Sequence, residues 1–266
     1  MMYRMMPVMM GILAAACGLA ACVKRADREP EPPSAMQAPD REEPPSDEWE
    51  QAAPVPPESA AARLPGKKDL VIPAGTKIPV DVVHVVDGDT VTVQPLQKPA
   101  RMFKVRMAGI NAPECHKERR RTSKGVSAAC TSDDEGSGLA AYHSLRKLLA
   151  GKSIEMTCKT LPNSSICEQD RYGRLLATLW ADGEDVNRKM VEEGMAMAFT
   201  KYPHDGRASY CQAEFAARAA RRGMWSLAST VEGVLSLMSQ KTRHWYRQHD
   251  ELCRAAIRTQ AGTKGN

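Results

Sequence analysis

Val85-Val86-Asp87-Gly88-Asp89-Thr90-Val91 joins two apolar-rich runs through an Asp-Gly pair. Asp-Gly between such runs predicts a tight β-hairpin, and we expect Gly88 to take a left-handed turn conformation, which glycine adopts without steric cost. A hairpin does not require a second carboxylate, yet Asp87 and Asp89 flank the glycine at one end of the sheet. The plain interpretation is a solvated turn, because turns favour Asp and Gly. The rest of the sequence decides between that interpretation and a chemical site.

Strand signals surround this turn. Valine and isoleucine enrich residues 78–86, Thr and Val alternate over 90–94, and apolar and cationic residues alternate over 103–107. These runs predict three strands in a meander. Two further strands are predicted over residues 153–158 and 175–180, without a strand–helix–strand rhythm. The pattern indicates a small barrel or sheet.

Helical signals occur in three places after the meander. Helices are predicted over residues 139–149, from an Asp185 cap to residue 193, and over residues 213–222. A glycine follows each of them, as is common where a helix ends. Beyond these helices, the apolar spacing in residues 229–260 predicts one or two amphipathic helices, which we expect to pack against the domain.

Residues 115–138 are predicted to form a long loop. Its first part is strongly basic and contains Lys117, Arg119, Arg120, Arg121 and Lys124. Loops of this length inside a compact domain are often functional. The alternative is that the charge run is only a solvated surface.

The N-terminal residues predict a targeting signal rather than part of the fold. Arg4 precedes an apolar run over residues 5–21 that is too short to cross a bilayer comfortably. Leu19-Ala20-Ala21-Cys22 is similar to a bacterial lipobox, so residues 1–21 are expected to be a lipoprotein signal peptide and Cys22 to carry the lipid. An ordinary secretory signal or an uncleaved anchor is the alternative. The expected location is the bacterial envelope, with the outer membrane or periplasm favoured.

A tether is predicted over residues 22–68, which are rich in Pro, Glu, Ala and Ser. Such a composition buries too little apolar surface to offset the entropy of ordering, so we expect a disordered, extended segment. Binding to the cell wall or to a partner is the alternative role. The predicted folded domain then covers residues 69–226, and a helical extension covers 227–266.

Charge is unevenly distributed along the chain. Residues 29–62 contain nine acidic residues and one arginine, a net charge of −8, whereas the whole chain carries +5. The rest of the chain therefore carries +13. A strongly basic globule indicates a polyanionic partner, and anionic lipid headgroups are the competing partner for an anchored protein.

Six cysteines remain once Cys17 and Cys22 are assigned to the signal and the lipid anchor. An even number in an oxidising compartment predicts disulfides. Zinc is the alternative, although no Cys-x-x-Cys or Cys/His spacing of the usual kind is present. Six cysteines can pair in many ways, and we predict that neighbours pair in order: Cys115 with Cys130, Cys158 with Cys167, and Cys211 with Cys253.

Several motifs in order resemble the staphylococcal nuclease (thermonuclease) family. They are Val86-Asp87-Gly88-Asp89-Thr90-Val91, Val105-Arg106-Met107-Ala108-Gly109-Ile110-Asn111-Ala112-Pro113-Glu114, Asp170-Arg171-Tyr172-Gly173-Arg174, Val186-Asn187 and Gly223-Met224-Trp225-Ser226. The resemblance implies an α+β, mainly β, fold: a five-stranded OB-type barrel with three helices. It also implies a monomeric, metal-dependent endonuclease that cleaves DNA, with RNA as a further candidate, and leaves 3′-phosphate ends. Single strands are the favoured substrate.

The resemblance assigns a catalytic role to three residues. Arg106 and Arg174 are expected to grip phosphate oxygens through their planar guanidinium groups, and Glu114 to act as the general base. Calcium is expected to be bound by Asp89, Asn111 and the backbone carbonyl of Ala112, with Asp87 ordering a metal-bound water. The remaining substrate contacts are Arg171 and Tyr172, to a terminal phosphate, and Phe199, to a base by stacking.

Asn111 departs from the family pattern, which places an aspartate ligand there. An asparagine keeps the oxygen donor but loses a charge, so we expect weaker calcium binding. This departure supports an alternative function, a non-hydrolytic OB module that binds nucleic acid or another polyanion. A structural envelope lipoprotein whose basic face meets anionic lipid is a third interpretation.

Overall fold

The computed structural model describes residues 69–97, 101–122 and 125–263. The predicted signal peptide, the lipid site at Cys22 and the whole of the predicted tether lie outside the described residues. None of the helices within the described ranges combines the length and the apolar character needed to cross a membrane.

Ten strands are present among the described residues: β1 Ile78–Val85, β2 Thr90–Pro95, β3 Phe103–Met107, β4 Ile110–Asn111, β5 Cys115–Thr122, β6 Gly125–Asp133, β7 Ile154–Cys158, β8 Leu175–Ala181, β9 Glu184–Asp185 and β10 Met197–Ala198. The helices are α1 Gly138–Leu149, α2 Val186–Glu192, α3 Arg207–Ala219, α4 Val231–Ser236, α5 Gln240–Tyr246 and α6 His249–Thr263, with a 3-10 turn at Gly223–Ser226.

Five strands close into a barrel in the order β3-β2-β1-β7-β8. The neighbours in this order pair antiparallel, and β3 and β8 close the ring in parallel, with Val105 opposite Leu175. Inward and outward residues alternate along β7 and β8, as the two-residue period of a strand requires. The predicted five-stranded OB-type barrel is confirmed.

The β1–β2 turn shows why a glycine is needed at position 88. Its φ is not in the left-handed region, so our expectation of a left-handed turn residue is wrong. A Cβ atom on Gly88 would instead lie 2.6 Å from the Cβ of Ala112 and 2.7 Å from that of Ala141. The glycine therefore lets the turn pack closely against α1 and against the segment that follows β4.

The predicted loop over residues 115–138 is wrong, because most of it forms a hairpin. Strands β5 and β6 pair antiparallel from Cys115–Asp133 to Thr122–Gly125. The hairpin forms a separate two-stranded sheet beside the barrel. Such a ribbon buries neither face fully, so its sequence lacks the apolar alternation that identifies barrel strands.

The three predicted domain helices are present. Asp185 caps α2, because its side chain accepts a hydrogen bond from the N–H of Arg188 at 2.9 Å. The third helix was predicted to begin at residue 213, but α3 begins at Arg207. The extension contains three helices, α4 to α6, rather than the one or two predicted.

Three disulfides join the pairs predicted from chain order, Cys115–Cys130, Cys158–Cys167 and Cys211–Cys253. The first holds the β5–β6 hairpin together. The third links α3 to α6, and these two helices also pack against each other. The extension is therefore joined to the domain covalently as well as by packing.

Candidate active site

The β1–β2 turn places two carboxylates at one end of the barrel. Asp87 and Asp89 are both buried, with 7% of each residue exposed. The Oδ1 atom of Asp87 accepts a hydrogen bond from the N–H of Asp89 at 3.1 Å, which fixes the turn. Thr90 donates its hydroxyl to Oδ1 of Asp89 at 3.0 Å. Buried carboxylates with fixed partners are unlike the solvated turn of the plain interpretation.

Arg106 of β3 lies next to Asp89, because Thr90 of β2 and Arg106 of β3 are partners in the sheet. Its Nη2 atom is 3.0 Å from Oδ2 of Asp89 and donates to Oδ1 of Asn111 at 3.1 Å. The N–H of Ala112 donates to the same Asp89 oxygen at 2.8 Å. A single carboxylate thus ties together the ends of three neighbouring segments.

Arg174 reaches the same end of the barrel from β8. Arg174 immediately precedes β8. This strand pairs with β3, and Leu176 of β8 lies opposite Arg106 of β3. Asp170 accepts from Nε of Arg174 at 2.7 Å and is also 2.7 Å from Nη2. The remaining Nη1 atom points to the Thr90 hydroxyl at 3.5 Å. Asp170 therefore orients the guanidinium group of Arg174 toward the site.

Lys117 of the β5–β6 hairpin lies between two of the predicted site residues. Its ammonium group is 2.8 Å from Oδ2 of Asp87 and 3.3 Å from Oε2 of Glu114. The Glu114 side chain is 60% exposed, so its carboxylate is open to solvent on the other side. The structure thus brings together all seven residues predicted to be catalytic or metal-binding, and it adds a lysine.

The pKa values of the two turn carboxylates are shifted in opposite directions. Burial raises the pKa of Asp89 to about 7, and the nearby charge of Asp87 adds to this, while Arg106 opposes it only in part. Burial also acts to raise the pKa of Asp87, but the ion pair with Lys117 and the N–H of Asp89 outweigh it and hold this pKa below its ordinary value. Asp87 and Glu114 in turn raise the pKa of Lys117, although burial alone would lower it. Asp89 is the carboxylate with too little positive charge around it.

Comparison with known proteins supports the resemblance in sequence. Residues 104–227 match the family described as staphylococcal nuclease homologues. An uncharacterized endonuclease of Escherichia coli O157:H7 is 32% identical over 151 residues, which cover 56% of this chain and 78% of that protein. The chain belongs to the staphylococcal nuclease family.

Two further proteins are similar to this chain over a comparable length. An uncharacterized endonuclease of Haemophilus influenzae is 30% identical over 151 residues, covering 57% of this chain and 68% of that protein. The micrococcal nuclease of Shigella flexneri is 29% identical over 164 residues, covering 58% of this chain and 78% of that protein.

The family's expected cation fits the chemistry around Asp89. Carboxylate and amide oxygens are suitable calcium ligands, and Asp89 and Asn111 bring one of each to adjacent strand ends. The pKa of Asp89, raised to about 7 by burial and its neighbours, indicates a carboxylate that additional positive charge would stabilise. No three His, Cys, Asp or Glu side chains among the described residues converge on a metal position. A cation here would therefore take water molecules as several of its ligands.

Two of the predicted substrate contacts, Arg171 and Tyr172, lie beside Arg174, whereas Phe199 lies against Gly109 and two aromatic rings. Arg171 and Tyr172 occupy the turn before Arg174, and the guanidinium groups of both arginines lie over the Tyr172 ring, 4.9 and 5.4 Å from its centroid. Phe199 is placed by its N–H, which donates to the Gly109 carbonyl at 2.8 Å. Its ring meets Tyr202 and Trp245 edge-on, with centroids 5.8 and 4.9 Å away.

Sequence reasoning missed Lys117, Asp170 and Glu135. Lys117 was one of several basic residues in a predicted loop, and only the hairpin register singles it out. Asp170 stood within a quoted motif but was given no role. Glu135 is buried behind Glu114, and no local pattern indicates its contacts, because its partners Ser239 and Thr242 are more than 100 residues away.

Proposed function

We propose that this protein is a calcium-dependent endonuclease that hydrolyses phosphodiester bonds in DNA, with RNA as a second substrate. The observation that supports it most is the convergence of Arg106 and Arg174, from two paired strands, beside Asp89. A lone arginine at the end of a barrel is commonly a salt-bridge partner. Two arginines that approach one position from different strands can grip a phosphate from two sides.

Each catalytic residue has a defined task in this proposal. Arg106 and Arg174 donate N–H groups to the phosphate oxygens and stabilise the charge that develops in the transition state. Glu114 orients the attacking water and accepts its proton. The water oxygen bonds to phosphorus as the bond to the 5′ oxygen breaks. The leaving oxygen takes a proton from solvent, which leaves a 3′-phosphate and a 5′-hydroxyl.

Calcium would be held by Asp89, Asn111 and the Ala112 carbonyl, with Asp87 behind them. Bound there, the ion would supply positive charge beside the scissile phosphate. Asn111 lowers the number of charged ligands, so we expect calcium affinity to be weak. Arg171 and Tyr172 would contact a terminal phosphate, and Phe199 would stack on a base, which favours single strands of any sequence.

The proposed location is the bacterial envelope, with a monomer anchored through lipid on Cys22 and residues 22–68 as the tether. Three disulfides support export, because disulfides persist in oxidising compartments. Replacement Cys22→Ser tests the anchor: the protein should leave the membrane fraction, and retention there would contradict lipid attachment at this residue.

Cleavage of a 5′-labelled single-stranded oligodeoxynucleotide tests the enzymatic proposal. The purified full chain in mild detergent should cleave it with millimolar calcium and not with a chelator. Arg106→Lys and Arg174→Lys keep the charge but lose the planar fork, so each should slow cleavage about 10²-fold or more. Cleavage at the wild-type rate by both variants, or none by the wild type, would contradict the proposal.

A binding module that does not cleave is the second candidate. Asn111, with one carboxylate fewer than the family pattern, and Lys117, whose ammonium group occupies the gap between Asp87 and Glu114, favour it. This candidate predicts salt-dependent binding of the oligonucleotide that persists in chelator and yields no product.

A further inference from the structure

Glu135 is a buried carboxylate that touches the backbone of Glu114. Only 3% of the residue is exposed. Its Oε2 atom accepts a hydrogen bond from the N–H of Glu114 at 3.0 Å. The N–H of Glu135 donates in the opposite direction to the Glu114 carbonyl at 2.9 Å, and Asp134 adds a second donor at 3.2 Å. Both polar backbone groups of Glu114 are therefore fixed by residues 134–135.

The backbone is what determines the position of the Glu114 carboxylate. The side chain is 60% exposed, and among the described residues its side-chain partner is the flexible ammonium group of Lys117 at 3.3 Å. The start of α1 also packs closely against the Glu114 backbone, since a Cβ atom on Gly138 would lie 2.0 Å from the Glu114 carbonyl oxygen. A displacement of this backbone would move the carboxylate with it.

The other oxygen of Glu135 binds the C-terminal extension. Oε1 accepts from the N–H of Ser239 at 2.7 Å and from the hydroxyl of Thr242 at 3.2 Å. Both residues belong to the start of α5, where N–H groups lack helical partners and negative charge is favourable. The N–H of Gly136 adds a bond to the Leu237 carbonyl at 3.2 Å.

We propose that Glu135 is a positioning residue through which the C-terminal extension holds Glu114 in place for catalysis. This inference rests on the proposed function, since it assigns part of the proposed reaction to a segment beyond the family match, which ends at residue 227. The extension is then a component of the active site rather than an appendage. It acts through Glu135 and touches no reacting atom.

Three donors converge on the two oxygens of Glu135, so an amide cannot replace the carboxylate. In Glu135→Gln, the NH₂ group faces either the N–H of Glu114 or the donors of α5, and one side of the link is lost. We expect kcat to fall about tenfold because the general base moves by a fraction of an ångström. KM should change by less than about twofold, because substrate-binding groups are unaffected.

Variants in the extension separate the link from general folding. Thr242→Val removes the hydroxyl at constant shape and should lower kcat several-fold. Thr242→Ser keeps the hydroxyl, so its kcat should stay near that of the wild type. Ser236→Ala is the matched control, because the Ser236 hydroxyl donates to the Gly233 carbonyl at 2.7 Å within α4 and does not reach Glu135. It should behave as the wild type.

Amide hydrogen exchange at Glu114 gives a readout that does not depend on cleavage. Glu135→Gln and Thr242→Val should both speed exchange of this N–H, while amides of the barrel strands stay protected. Unchanged kcat in both variants, or unchanged exchange at Glu114, would overturn the inference. If the wild type proves inactive, the proposed function fails separately, and exchange still decides whether the extension fixes Glu114.

Discussion

Two regions of this protein bury acidic side chains beside cations, and they differ in how completely the charges are balanced. The site cluster is at the end of the barrel and consists of Asp87, Asp89, Arg106, Glu114 and Lys117. The Glu214 cluster joins α3 to the extension and consists of Glu214, Arg218, Tyr246, His249 and Asp250.

The Glu214 cluster satisfies its buried carboxylate. Glu214 accepts from Nε of Arg218 at 2.8 Å and from the N–H of Ala198 at 2.7 Å, and it lies 3.1 Å from Nε2 of His249. Burial acts to raise the pKa of Glu214, but His249 and Arg218 outweigh it, so the pKa lies below its ordinary value. In the site cluster, burial prevails and the pKa of Asp89 rises to about 7. Balanced charge stabilises the fold, whereas the imbalance at Asp89 leaves a site that can accept a cation.

The largest difference between the two clusters should come from their glutamates. Glu114→Gln should lower the cleavage rate by about 10²- to 10⁴-fold, the usual contribution of a general base. Its midpoint of denaturant unfolding should stay near that of the wild type, because the side chain is mostly exposed. A cleavage rate close to wild type would remove Glu114 from the mechanism.

Glu214→Gln should show the opposite behaviour. Removing the carboxylate leaves Arg218 and His249 buried without their main partner, which should lower the free energy of unfolding by about 3–5 kcal/mol. Glu168→Gln serves as the control, because its ion pair with Lys159 at 2.9 Å is partly exposed to solvent and contributes at most about 1 kcal/mol. Equal effects of the two changes in denaturant titrations would show that the Glu214 cluster is not a structural centre.

The raised pKa of Asp89 makes stability depend on pH. The unfolded carboxyl ionises near 3.8 and the folded one near 7, so between these values the folded state binds more protons and loses stability as pH rises. The lowered pKa of Asp87 acts below this window. In chelator, the wild type should therefore lose up to about 4 kcal/mol relative to Asp89→Asn between pH 4 and 7. Parallel pH profiles of the two proteins would contradict the assigned imbalance.

If calcium binds as proposed, Lys117 would compete with it for the carboxylates of the site cluster, so its removal should strengthen calcium binding. Lys117→Met frees Asp87 and Glu114 from the ammonium group, which should tighten calcium binding about three- to tenfold in a calorimetric titration. Arg119→Met is the control, since it removes one exposed positive charge from the same strand. Weaker calcium binding by Lys117→Met would show that the lysine supports the site.

The barrel strands could be predicted locally because each has one buried face, and burial imposes a two-residue period. Their closure into a five-stranded OB-type barrel was implied by the family resemblance. The β5–β6 hairpin was missed because neither of its faces is fully buried. Its sequence therefore lacks the alternation of apolar and polar residues that identifies a strand. Gly88 was recognised as necessary, but its reason, contact with Ala112 and Ala141, depends on segments brought together only by folding.

Most of the site residues, but not all of them, could also be predicted from the sequence. Asp87, Asp89, Arg106, Glu114 and Arg174 stand in recognisable motifs, and the structure gathers them at one end of the barrel. Glu135 and Lys117 could not be predicted. Their roles follow from a contact with α5 that spans more than 100 residues and from the register of an irregular hairpin.

Analysis of cleavage products under single turnover tests the central claim most directly. A 5′-labelled single-stranded oligodeoxynucleotide, mixed with excess full-length protein and saturating calcium, should give fragments that end in a 3′-phosphate, and a 3′-phosphatase should change their mobility. Oligonucleotide that is bound in chelator and in calcium alike, and recovered intact from both, would contradict an active phosphodiesterase site at Asp89 and Glu114.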